Sequence, residues 1–409
     1  MKKVLIVEPS SSGYVLIQKG NECGHKVIVM TYDADDRKIP ERYLQYADEL
    51  VIVDTNDDQA AIQKAREYHQ AHGIDAVVPG FEYYVPLAAQ ISADLGLRGL
   101  NPNTVRSLRE KDIMREALHA AGVRVPRFRL VSTKNELQAA IDYVGYPCVI
   151  KPVDLSGSMN VRKVSTFEEL LAGYQAINQT DITDLGRLSR KDVLIEEYIS
   201  GPEFSVEGYA EGDKVTFLSI TEKLLSPEPY FVEVGHIVSA DLGPDIEETV
   251  YRYVADVVRA LNVTVGPFHC EIRLAEDGPV AMELAARLAG DHIIDLIEYA
   301  KGIDLYKITF DSFLGQIEEQ KKPITLNRNL FAGIKFFFRP ELRSYSAVDG
   351  LDDLKSRPGF QEMDITLEPG RGMDNSSYAG RLGFMIYTNE NYEELKTTLD
   401  EADRVVQFT

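Results

Sequence analysis

The chain has 409 residues, 44% hydrophobic and 27% charged, with 44 basic against 65 acidic residues and a net charge of −21. That length exceeds the ~250–300 residues at which a single core stops growing, so two to four domains are expected. The acidic excess disfavours nucleic-acid binding, no run approaches the ~18 apolar residues of a membrane span, and the widely spaced Cys23, Cys148 and Cys270 form no CxxC pair, which disfavours zinc or redox motifs and fits reduced thiols in the cytoplasm.

The first apolar run, Val4-Leu5-Ile6-Val7, ends at Glu8-Pro9, too short for the core of a secretion signal. It reads instead as a strand buried on both faces. Similar runs at 26–30, 49–53 and 76–79 alternate with helical stretches, which predicts a parallel-sheet α/β unit over about the first 100 residues. Its first turn lacks GxGxxG, so dinucleotide binding is not indicated. The loop Gly80-Phe81-Glu82-Tyr83 is expected at a crevice beyond the strand ends, with Phe81 and Tyr83 as readily packing as contacting a ligand.

Residues 103 to 121 read as one helix stopped by Gly122. Cys148-Val149-Ile150-Lys151 is a strand, a helix is expected near 166–177, and the polar stretch 178–191 reads as a surface connection. Val193 to Glu196 is a further strand, and 204–209 with 214–217 suit an antiparallel hairpin around Glu211-Gly212-Asp213. Beyond about 311 the pattern shifts to short strands and turns, with a terminal helix near 391–403.

Several groups in this order carry chemistry. Lys151 closes a buried strand where the loop Asp154-Leu155-Ser156-Gly157-Ser158-Met159-Asn160 begins. Small residues such as Ser156, Gly157 and Ser158 let backbone N–H groups approach phosphate oxygens, and the lysine adds a point charge. Lys111 earns a similar role only from its place in the series. Glu196-Glu197-Tyr198-Ile199 leaves a strand where backbone groups could bond a base edge, and Glu203 could accept from ribose hydroxyls.

Residues 267–274 and 279–285 flank Glu276-Asp277-Gly278, which suits a three-residue hairpin loop with Gly278 in the left-handed region. Ala275 then faces Pro279, and Glu271 falls opposite Glu283. Opposed carboxylates ~4.5–5.5 Å apart at Cβ repel, and a shared Mg²⁺ or Mn²⁺ resolves this. Period two places His269 and Arg273 on the same face, His269 as a neighbour rather than a ligand. Arg287 suits the charge of a transferred phosphoryl group or an acyl-phosphate. Within Tyr230-Phe231-Val232-Glu233-Val234-Gly235-His236, Glu233 offers an acceptor for an ammonium and His236 a proton carrier near neutral pH. Asp291 reads as an acid at a helix start rather than a partner of a basic side chain.

This order resembles the ATP-grasp superfamily of carboxylate–amine ligases over essentially the full length. The stretches that carry the resemblance are Leu108 to Asp112, Val149 to Pro152, Glu196 to Glu207 and Met282 to Arg287, with a tail, Glu368 to Ile386, similar to that of biotin-carboxylase-like members. The resemblance implies an α/β ATP-grasp fold with a Rossmann-like parallel-sheet domain at 1–104, an ATP-grasp domain at 105–310 with a lid at about 123–195, and a small α+β domain at 311–409. It implies ATP with Mg²⁺ or Mn²⁺, backbone adenine contacts near Glu197 and Ile199, and a ribose role for Glu203. Many members have Asn two residues after the second metal glutamate; Ala285 stands here, which implies a thinner metal shell.

Within the superfamily the chain looks most like bacterial L-amino-acid ligases, on Glu233, His236 and Arg287 in its Arg-Leu-Ala-Gly context. That implies amino-acid substrates joined through an acyl-phosphate, with Glu82 also on the substrate side and a homodimer as the assembly. Rival readings are another ATP-grasp ligase or carboxylase with a different substrate, and a nucleotide-binding regulatory protein without turnover.

Overall fold

A computed structural model describes residues 1–179, 181–226, 232–317, 330–372 and 380–409; Tyr230 and Phe231, in the aromatic segment before Glu233, lie outside them. The strand Lys3–Val7 lies inside a parallel sheet between Lys26–Thr31 and Ala76–Pro79, with Glu49–Ile52 at the outer edge. Val4 to Val7 are wholly buried, as an apolar run covered on both faces must be. Beyond the central strands, the loop 9–13 packs directly on the loop at Gly80. A Cβ on Gly13 would sit 1.7 Å from the Gly80 carbonyl oxygen, and one on Gly80 2.5 Å from Pro9 Cα. Two glycines therefore set the close approach that brings Ser10 to Ser12 beside Phe81 and Glu82.

The expected helix across 103–121 is two elements, a 3₁₀ turn at Val105–Leu108 and the helix Lys111–Ala120. At the break the Lys111 N–H bonds the Val153 carbonyl, 2.9 Å away, rather than a carbonyl of the preceding turn. Gly122, at φ 74°, does end the second element.

A second, antiparallel sheet runs Phe128–Val131, Val193–Glu197, Cys148–Pro152, Arg162–Val164. The helices Leu137–Val144 and Phe167–Asn178 close its own small core, which includes Val131, Ile150, Leu170 and Ile195. The stretch 178–191 is not a plain connection: it contains the hairpin Thr183–Asp184 with Arg187–Leu188. Its tip residue Leu185 is buried among the core residues of the N-terminal sheet, and Asn56 Nδ2 donates to the Leu185 carbonyl at 3.0 Å. The buried Leu185 at the tip anchors a largely polar segment.

The third sheet has eight strands among the described residues, all antiparallel. Their order is Gly278–Ala285, Val265–Ala275, Glu203–Glu211, Lys214–Leu225, Glu233–Val238, Phe331–Phe338, Arg381–Asn389, Phe360–Ile365. The C-terminal strands thus extend the sheet rather than forming a separate one. They have their own core on one face, Phe337, Leu382, Met385, Leu395 and Leu399, closed by the helix Tyr392–Val405 with Asn391 as its cap. The hairpin at 276–278 differs from expectation. Ala275 pairs with Gly278, so the loop is Glu276-Asp277 alone, and Gly278 has φ 118° rather than a left-handed helical value. A bulge at Met282 then restores the count, and Glu271 faces Glu283 as expected.

Candidate active site

The three sheets converge on one cavity of about 340 Å³. Its floor is a polar face built by alternation on neighbouring strands. Glu203, Ser205 and Glu207 stand beside His269, Glu271 and Arg273 on one side, and beside Ser219, Thr221 and Lys223 on the other. Period two puts each trio on one face of its strand. Such a face is stable only if its charged groups are paired, and they are, although the buried Ser219 hydroxyl has no hydrogen-bond partner. Glu207 accepts from Ser205 (2.5 Å) and Thr221 (2.6 Å) and meets His269 Nδ1 at 2.9 Å. His269 Nε2 lies 3.3 Å from Glu271. Burial opposes its charge, but the two carboxylates raise its pKa to about 9.

At one end of the cavity lie the two expected lysines. Lys151 Nζ is 2.5 Å from Glu196, which is buried and also paired with Arg115 Nε. Burial alone would raise the Glu196 carboxyl; Arg115 and Lys151 instead hold it at about 2. Burial pushes the Lys151 ammonium below its ordinary value. Glu196 is thus tied up in pairing with Lys151 and Arg115. Lys111 Nζ donates to the Leu155 carbonyl (2.8 Å) and pairs with Glu283 Oε1 (3.0 Å).

The loop Ser156, Gly157, Ser158, Met159 roofs this end, with φ of 62° at Gly157 and 56° at Ser158. Tyr83 pins it: its hydroxyl lies 3.1 Å from Ser156 Oγ and also donates to Asp184. Glu197, Tyr198 and Ile199 form a side wall. The Glu197 side chain points away to Arg127 (3.2 Å), and the N–H groups of Glu197 and Tyr198 are taken by the carbonyls of Arg127 and Pro147. Glu203 is held between Arg273 and Lys223, each at 3.1 Å.

At the other end Arg287 Nη2 pairs with Glu82 Oε2 at 2.5 Å, and Arg109 approaches Glu82 Oε1 at 3.6 Å. Burial opposes ionisation of Glu82, yet these guanidiniums keep it at about 2. Arg287 Nε is buried without a hydrogen-bond partner. Glu233 and Asp291 line the same end, joined by Arg381 from the C-terminal strands. Arg381 lies 2.8 Å from Asp291 and 3.6 Å from Glu233. Burial lifts the Glu233 carboxyl above its ordinary value; Asp291, beside Arg381 and His236, lies well below its own despite burial.

His236 corrects one expectation. It is fully buried and does not line the cavity; its Nε2 lies 3.3 Å from Asp291 and 3.6 Å from Glu233. It contacts those carboxylates without being part of the cavity lining. Asp291 corrects another. It pairs with Arg381 rather than serving as a plain acid at a helix start, and sits at φ 53° facing the cavity.

Lys223, Arg381 and Asp184 are site residues that motif reading did not select. Lys223 had a signal, a lysine in register with polar Ser219 and Thr221 on one strand. Arg381, distant in sequence, had none.

Glu271 and Glu283 fit a hard divalent cation. They are opposed in register and both line the cavity. Each leaves one carboxylate oxygen with no hydrogen bond or ion pair among the described residues, since Lys223 and His269 use Glu271 Oε1 and Lys111 uses Glu283 Oε1. Burial notwithstanding, Lys223 and His269 hold Glu271 well below the usual carboxylate range, so it is ionised as a ligand must be.

Three family models match in succession: ATP-grasp N-terminal domain over residues 17–99, ATP-grasp domain over 144–295, and L-amino acid ligase C-terminal domain 2 over 339–409. The chain belongs to the ATP-grasp family and is an ATP-dependent carboxylate–amine ligase. Among curated relatives it is 23% identical to an L-arginine-specific L-amino acid ligase of Bacillus subtilis, covering 87% of this chain and 86% of that one. It is 24% identical to the alanine–anticapsin ligase of Bacillus subtilis, over 62% of this chain and 57% of that enzyme, so it spans little more than half of the latter's length. The crystal structure of an L-amino acid ligase from Bacillus licheniformis superposes with a TM-score of 0.85 at 23% identity, covering 100% of this chain and 98% of that one. Within the family, the L-amino acid ligases are the group that this chain resembles.

Proposed function

We propose that the protein joins the carboxylate of one L-amino acid to the amine of another, releasing ADP and phosphate. One observation carries this reading. A single cavity holds two lysines under a small-residue loop, a facing pair of glutamates, and Arg287, Glu233 and Asp291. The printed names of the curated relatives support amino acids as substrates.

Lys111, Lys151 and the loop Ser156–Met159 hold the triphosphate. The carboxylate of the first amino acid attacks the γ-phosphorus, the bond to the bridging oxygen breaks, and ADP leaves with that electron pair. Arg287, kept charged and in place by Glu82, faces the charge on the transferred group. A Mg²⁺ or Mn²⁺ held by Glu271 and Glu283 would offset phosphate charge during this transfer. The amine of the second amino acid then attacks the acyl carbon. Phosphate departs with the electrons of the carbon–oxygen bond, and the surplus amine proton passes to Glu233, beside Asp291. His236 and Arg381 orient these carboxylates.

The segment about 123–195 acts as a lid, and closing it keeps water from the acyl-phosphate. We take 1–104, 105–310 and 311–409 as the working domains, the cytoplasm as the setting and a homodimer as the assembly. No helix among the described residues is long and apolar enough to cross a membrane.

Phosphate release measured over pairs of amino acids, with mass analysis of products, tests the reading. Release that requires two amino acids and yields their amide is expected. Release with bicarbonate or a ribonucleotide instead, or tight ATP binding without turnover across the panel, would overturn it.

A further inference from the structure

Lys223 occupies the centre of the cavity floor, and its side chain is 1% exposed. Its Nζ lies 2.5 Å from Glu233, 2.9 Å from Glu271 and 3.1 Å from Glu203. An ammonium carries three N–H groups and no acceptor, and here it forms an ion pair with each of three carboxylates. The three acids come from three different strands: its two immediate neighbours, Glu203–Glu211 and Glu233–Val238, and Val265–Ala275 one strand further along.

Every contact uses the Oε1 atom. The second oxygen of Glu203 goes to Arg273. That of Glu271 has no partner among the described residues. That of Glu233 is approached at 3.6 Å by His236 and by Arg381, with the Asp291 carboxyl also beside Glu233. One oxygen of each of these two acids is therefore anchored and the other left for a ligand. Charge balance alone does not demand this lysine, because Arg273, His269 and Arg381 each stand by one of the three acids. Lys223 is the group that touches all three.

We propose that Lys223 is the positioning residue of the centre, a tripod that locks the ribose-side, cation-side and amine-side carboxylates into one frame, so that nucleotide and amino acid are bound in a shared geometry. This rests on the function proposed above. A planar guanidinium cannot replace a tetrahedral ammonium here, so Lys223→Arg should fail much as Lys223→Met does.

The test compares the wild type with K223M, K223R and E233Q. The readouts are steady-state kinetics with an amino-acid pair that the wild type uses, and MgADP and amino-acid affinities by calorimetry. Supporting residues around such sites typically contribute 10–100-fold, and K223M and K223R should each lose kcat/KM by roughly that factor. In the wild type, bound MgADP should change amino-acid affinity, and K223M should abolish that coupling. E233Q is the milder variant and needs no loss of the lysine: although Glu233 touches only the amine end, it should weaken MgADP binding several-fold through the tripod.

A K223M protein that merely melts earlier, with kinetic constants and coupling unchanged, would overturn the proposal. If K223M does not fold, E233Q with unaltered MgADP affinity would overturn it. Should the wild type show no amino-acid-dependent turnover, the ligase reading fails instead. MgADP affinity in K223M then decides the tripod alone, a several-fold loss supporting it and an unchanged value refuting it.

Discussion

Replacing Glu196 by Gln should injure the protein twice, in stability and in nucleotide binding. The carboxylate is 2% exposed and accepts from Arg115 Nε and Lys151 Nζ, each at 2.5 Å. Its pKa is held at about 2 against an ordinary 4.5. The difference, 4.5 − 2, at about 1.36 kcal/mol per pH unit gives about 3 kcal/mol of stabilisation at neutral pH. The folded value is the depressed one, so this contribution is full above pH 4.5 and is lost as pH falls toward 2.

The glutamine variant lacks that acid-sensitive limb and also leaves two cations buried against each other. A loss of about 3 kcal/mol lowers the melting point by roughly 6–12 °C for a unit of this size. Lys151, already pushed down by burial, moves further down without its counter-ion. The KM for ATP in E196Q should therefore climb as pH rises from about 7 to about 9, more steeply than in the wild type. Differential scanning fluorimetry with and without an ATP analogue, plus ATP KM against pH, measures both effects. An E196Q protein that melts with the wild type and keeps its ATP KM across that range would refute the reasoning.

Glu283→Gln should leave circular dichroism unchanged and abolish ADP release, because it removes one of the opposed carboxylates and the partner of Lys111; normal turnover would remove the metal assignment. Tyr83→Phe cuts the hydroxyl contacts to Asp184 and Ser156. At about 2 kcal/mol for a bond to a charged acceptor, the lid should open roughly 30-fold more often, seen as faster hydrogen exchange at 183–188 and more ATP hydrolysis without an amine; unchanged exchange would count against a clasped lid. Arg381→Met releases Asp291 and Glu233 and should raise the KM for the amine-donating amino acid roughly 10–100-fold while the ATP KM stays within about twofold; equal losses in both would show that the strand itself is disturbed.

The fold was readable wherever local chemistry and pattern agreed. The apolar runs at 4–7, 26–30, 49–53 and 76–79 marked the parallel sheet, and Gly122 marked a helix stop. The pairing of Glu271 with Glu283 came out right through two compensating differences, a loop one residue shorter and a bulge at Met282. Bulges answer to packing across the sheet, and nothing in the local pattern marks one. The hairpin at 183–188 was missed because its composition is polar and its anchor, Leu185, packs on a domain more than a hundred residues earlier. His236 sits on the right strand, but motif position cannot say that Glu233 and Asp291 stand between it and the cavity. Arg381 was beyond reach for a simpler reason: its contact with Asp291 spans 90 residues.

The strand Phe331–Phe338 pairs directly with Glu233–Val238, and Arg381 hangs from the next strand over. A truncation after about residue 317 would therefore bare the backbone edge of the very strand that presents Glu233, inviting it to slip or to pair with another chain. Swapping tails between relatives would likewise move Arg381 with the new edge, so chimeras built as interchangeable cassettes should change which amines are accepted even when every group around the nucleotide is untouched.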